Sequence, residues 1–69
     1  MYIAWLIDRR GFVNSLASGR KLNDVVEDVA TVTTEYAHTY RHFYGSELHI
    51  NVSRGPYTNR VAASMEVSI

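Results

Sequence analysis

Three groups of side chains in this 69-residue chain have types and spacings that can do chemistry. Glu35, His38 and His42 read E-x-x-H-x-x-x-H, and histidines four apart on a helix can share a divalent metal with a carboxylate one turn earlier. No second ligand cluster accompanies them except the distant His49, and the zincin pattern H-E-x-x-H with its general base is absent. The group therefore reads as a solvated polar face, with no metal and no cofactor expected. Tyr36, Tyr40, Phe43 and Tyr44 form an aromatic comb at helical spacing beside Arg41. Such combs can stack bases. Here the rings continue an aliphatic stripe and are expected to belong to the core.

The third group is cationic. Arg9, Arg10, Arg20, Lys21, Arg54 and Arg60 all fall in segments that read as turns or connections. A guanidinium in a loop can pair bidentately with phosphate or anchor a protein interface. Arg9 and Arg10 sit in Asp8-Arg9-Arg10-Gly11, whose Asp and Gly suit a tight turn, so they are expected at the tip of a rigid hairpin. Nucleophilic catalysis finds no support. The serines sit in no G-x-S-x-G elbow, the glycines form no phosphate loop, and a chain this short lacks depth for a water-excluding cleft. Asn51-Val52-Ser53 matches a glycosylation acceptor by composition only. The sequence reads as non-enzymatic.

The elements that must position these residues follow from periodicity. Tyr2–Asp8 and Phe12–Ala17 are rich in β-favouring residues and flank the Asp8–Gly11 turn, which predicts a hairpin. From Leu22 to Tyr44 the apolar positions (Leu22, Val25, Val26, Val29, Ala30, Val32, Thr33, Tyr36, Ala37, Tyr40, Phe43, Tyr44) share one helical face. This predicts one long helix, capped by Asn23 or Ser18 and terminated by Gly45. Its Val and Thr content is poor in helix propensity, so it must depend on tertiary packing. After Gly45 the period becomes two. Leu48, Ile50 and Val52 alternate with polar residues, Arg54–Asn59 forms a loop, and Val61 to Ile69 alternate again. The expected fold is α+β: a single domain over 1–69, ordered ββαββ, with a four-stranded antiparallel sheet and one helix across one face.

That layout leaves the other sheet face bare. The first strand is apolar at both parities, with Tyr2, Ala4 and Leu6 on one side and Ile3, Trp5 and Ile7 on the other. Either Tyr2 or Trp5 must lie where one helix cannot cover it, and exposed aromatic patches mark contact surfaces.

Composition bounds the function. Seven basic residues balance seven acidic ones, so no global field draws in nucleic acid or anionic membrane. There is no cysteine, hence no disulfide and no thiolate site. The apolar run at the start is too short for a signal core or a membrane span, and a cytoplasmic location without membrane association is expected. A chain of this size buries only about 60% of its unfolded surface, which favours a partner or a second copy.

The short, cysteine-free ββαββ format resembles, in size and layout, the small proteins by which phages and mobile elements block host machinery. That resemblance implies a steric protein-binding inhibitor or adaptor, anti-CRISPR-like or polymerase-inhibitor-like, acting on a host nucleic-acid-processing or defence complex. Its expected docking residues are Arg9 and Arg10 at the hairpin tip, Trp5 on the first strand, and Asp24, Glu27, Asp28 and Glu35 on the acidic helix face. Two alternatives stand beside it: a nucleic-acid-binding module using Arg9, Arg10, Arg20, Lys21, Arg54 and Arg60, and a structural homodimer.

Overall fold

The computed structural model of the protein describes residues 1–69. Its elements run β1 (Tyr2–Ile7), β2 (Val13–Gly19), α1 (Leu22–Glu35), α2 (Ala37–Tyr44), β3 (Glu47–Arg54) and β4 (Val61–Ser68). The strands form one sheet in the order β2-β1-β3-β4, antiparallel throughout. The α+β, ββαββ expectation is therefore met. The two hairpins lie side by side with β1 and β3 central, and the helical segment carries the chain from edge strand β2 over β1 to β3.

The expected single helix is two. A straight helix over residues 22–44 would be about 34 Å long, whereas the longest dimension of the molecule is 29 Å. The chain leaves helical geometry at Tyr36, with φ −110° and ψ 24°, and α2 then turns back toward β3. Three threonines prepare the break. Thr31, Thr33 and Thr34 each donate their hydroxyl to a carbonyl one turn back, at 3.1, 2.8 and 2.8 Å. Such back-bonding loosens and bends helices. The expected side-chain cap is also absent: Lys21 occupies the N-cap position of α1 and no side chain bonds there. Gly45 does end α2, at φ 87° and ψ −173°.

The core follows from the pleat. Ala4 and Leu6 of β1 and Leu48, Ile50 and Val52 of β3 point to the helix side, where they meet Val25 and Val29 of α1. Seven apolar side chains are fully buried. Thr33 is buried beside them because its hydroxyl is satisfied within the helix. The buried stripe on the helices is narrower than the sequence predicts. Val26, Tyr36 and Phe43 of the expected dry face are exposed, and Phe43 is 73% accessible. The bend at Tyr36 rotates the later residues out of phase with Val25 and Val29.

Two irregularities shape the sheet. Leu16 is an extra residue in β2 opposite Ala4/Trp5, and Ala62 is an extra residue in β4 opposite Val52/Ser53. Bulges of this kind are common on edge strands, where they blunt edge-to-edge pairing. At Gly19 the sheet comes close to the helix, since a Cβ built there would lie 3.2 Å from Val25 Cγ2.

Candidate functional site

The residues singled out from the sequence occupy three separate surfaces. Arg9 and Arg10 lie at one pole of the sheet, Trp5 lies on the face opposite the helices, and Asp24, Glu27, Asp28 and Glu35 are exposed along α1. They do not converge on one site.

The hairpin pole is the best built. Asp8 shapes the turn: its carboxylate oxygen Oδ1 accepts hydrogen bonds from the backbone N–H groups of Arg10 (2.8 Å) and Phe12 (2.9 Å). Gly11 supplies the positive φ of 86° that the reversal requires. The Arg10 guanidinium lies 5.3 Å from the Phe12 ring centroid and 3.7 Å from Asp8 Oδ2. Arg9 takes another path, toward the end of α2, where a Cβ built on Gly45 would come within 3.3 Å of its Nη2. A cation there faces the carbonyl-rich C-terminus of a helix.

The tail of α2 closes this pole. Three shallow clefts share Asp8 and Tyr44 as walls, with volumes of about 400, 490 and 530 Å³. Arg9 borders the first two, Arg41 and Phe43 the second, and Phe12 and Phe43 the third. Tyr44 is held from below by Asn14, whose Nδ2 donates to its hydroxyl at 3.3 Å, and its ring lies 6.1 Å from that of Tyr40. The Tyr40 hydroxyl is pushed above its ordinary value of 10.0, by burial first and then by Tyr44 and Tyr36. Arg41 is anchored through Nε to the carbonyl of Ile69 at 3.3 Å. Phe12 (63%) and Phe43 (73%) stand exposed. This surface presents guanidinium groups and aromatic faces on a turn whose backbone Asp8 holds.

Sequence reasoning missed Phe12, Phe43 and Arg41 as members of this surface. Phe43 carries the same helical phase as the core residues, and only the bend at Tyr36 turns it outward. Phe12 reads in sequence as the first residue of the second strand, whereas β2 begins at Val13. Arg41 reads as a helix-terminal charge in any helix.

The bare sheet face is half apolar and half polar. Ile3, Trp5 and Ile7 of β1 are half-buried along its centre, while Tyr2 faces the helix side. Trp5 Nε1 donates to Ser53 Oγ at 2.7 Å and covers that fully buried serine. Beyond it, cross-strand polar pairs cover β3 and β4: Asn51 with Ser64 at 2.6 Å, His49 with Glu66, and Glu47 with Ser68 at 2.9 Å. Directly opposed pairs of this kind stabilise the sheet.

The six cations expected in loops divide between the poles, and Arg54 closes β3 rather than opening the following loop. Arg9 and Arg10 lie at the hairpin pole, and Arg20, Lys21, Arg54 and Arg60 lie at the other. His38 and His42 are exposed, and the His42 ring packs edge-on against Phe43 at 4.9 Å. No three His, Cys, Asp or Glu side chains come together as a metal-binding group. No helix is long and apolar enough to cross a membrane. Comparison with protein-family models, with curated proteins and with solved structures finds no match to this chain.

Proposed function

We propose that the chain is a small, non-enzymatic protein-binding inhibitor or adaptor that acts sterically and docks through its hairpin pole. One observation carries this reading. Phe12 and Phe43 are exposed across a shared cleft, flanked by Arg9, Arg10 and Arg41 on a turn and helix end that are already ordered. Aromatic and arginine side chains dominate interface hot spots because they supply large contact area with a polar handle. A turn backbone fixed before binding lowers the ordering cost of docking. A complementary partner surface offers carboxylates around an apolar recess. A host nucleic-acid-processing or defence complex is the partner class that the chain's format suggests.

Capture from host lysate with immobilised wild-type chain, R9E/R10E and F43A tests this. A partner held by wild type and lost by both variants supports hairpin-pole docking. Retention of the same partner by both removes that pole from the proposal.

A homodimer is the second reading, favoured by the uncovered stripe of Ile3, Trp5 and Ile7. Sedimentation at micromolar concentration decides it: a monomer throughout the range excludes pairing through that face.

A further inference from the structure

The pole opposite the hairpin gathers four of the seven basic residues at one end of the sheet, Arg20 and Lys21 after edge strand β2, Arg54 closing β3 and Arg60 before edge strand β4. Register places Gly19 beside Tyr2 and Tyr2 beside Arg54, and the Arg54 N–H donates to the Arg60 carbonyl at 2.9 Å. Arg20 and Lys21 continue directly from Gly19. At one strand spacing per step, the backbone from Gly19 to Arg60 spans about 15 Å. All four cationic side chains are exposed.

None of them forms an ion pair. The only ion pairs of the molecule are Arg10–Asp8 and His49–Glu66. Asp24, Glu27 and Asp28 start α1 at the same pole, yet none comes within 4.0 Å of these cations. Instead two guanidiniums lie over aromatic rings, Arg54 at 5.8 Å from the Tyr2 centroid and Arg60 at 4.7 Å from that of Tyr57. Tyr57 is 55% exposed. The loop that carries it is tied down: Gly55 N–H donates to Met1 O at 2.7 Å and Arg60 N–H to Tyr57 O at 3.2 Å.

We infer that this pole binds single-stranded nucleic acid, with Arg20, Lys21, Arg54 and Arg60 on the phosphates and Tyr57 as a stacking platform. Unpaired cations that can reach phosphate, interleaved with aromatic faces that can stack on bases, are what single strands require. Because the net charge is zero, attraction is local to this pole rather than a property of the whole molecule. The site is independent of the hairpin pole. An adaptor with both would hold a protein at one end and a nucleic-acid strand at the other.

Fluorescence anisotropy of labelled dT15 and rU15 tests this with wild type, R54E/R60E, R20E/K21E and Y57A, each checked for native circular dichroism. Four phosphate contacts give a log–log salt slope of at most about −2.8, or about 50-fold weaker binding between 50 and 200 mM salt. Each charge-reversal pair is expected to weaken binding at least tenfold and flatten the slope. Y57A should lose at least about fivefold with the slope retained. Having two separate charge-reversal pairs keeps the test decisive if one fails to fold. No anisotropy change at 50 mM salt overturns the inference. So does an affinity left intact by every charge-reversal pair that folds, or equal competition by polyglutamate or by phosphatidylserine vesicles.

Discussion

Trp5 and Ser53 are joined across the central strand pair by a 2.7 Å hydrogen bond from the indole N–H to the serine hydroxyl. The two residues are diagonal neighbours, since Trp5 stands opposite Asn51. The contact fixes the one large ring on the bare face and explains how a serine comes to be fully buried there. Ser53→Ala leaves the indole without its acceptor and is expected to cost about 1–2 kcal/mol. Urea unfolding of Ser53→Ala, Trp5→Phe and the double variant checks it, with non-additivity between the singles as the expected sign.

Phe43 should separate binding from stability. The ring is mostly in solvent, so Phe43→Ala is expected to change unfolding free energy by no more than about 0.5 kcal/mol. Partner capture through the hairpin pole should nonetheless fall. A large loss of stability would instead place the ring in the core, as its helical phase suggests.

Gly45 joins α2 to β3 in a backbone region that only glycine occupies readily. Gly45→Ala is expected to cost about 1–3 kcal/mol and to press on Arg9 Nη2. Gly11 also has positive φ but open space around it, so Gly11→Ala should be the milder change. Thermal melts of the two variants side by side give the ranking.

Alkaline pH should destabilise the fold through Tyr40. Burial raises its pKa above the ordinary 10.0, so the unfolded chain releases this proton first as pH climbs. The stabilisation is fully present below pH 10.0 and is lost as pH rises through the folded-state value. Tyr40→Phe should flatten the loss of stability between pH 9 and pH 11, measured by chemical denaturation at each pH. An identical pH dependence in both proteins would assign the alkaline effect to other groups.

Periodicity alone determines much of this protein. Leu48, Ile50 and Val52 alternate with polar residues, and Val25 and Val29 share a phase with Leu22, because side-chain direction depends on a residue's immediate neighbours. Asp8 and Gly11 announce the hairpin turn by the same local chemistry, and the two-sided apolar character of β1 announces a bare, half-apolar face.

Tertiary structure decided the rest, since it depends on distances between residues far apart in the chain. A sheet too short for a straight helix bends the chain at Tyr36 and turns Phe43 outward toward Phe12. The antiparallel order β2-β1-β3-β4 puts Arg20, Lys21, Arg54 and Arg60 at one end of the sheet and Arg9 and Arg10 at the far end. In sequence these six cations are equivalent loop residues. Register and crossover alone sort them into two poles, because antiparallel strands return each connection to one end of the sheet or the other.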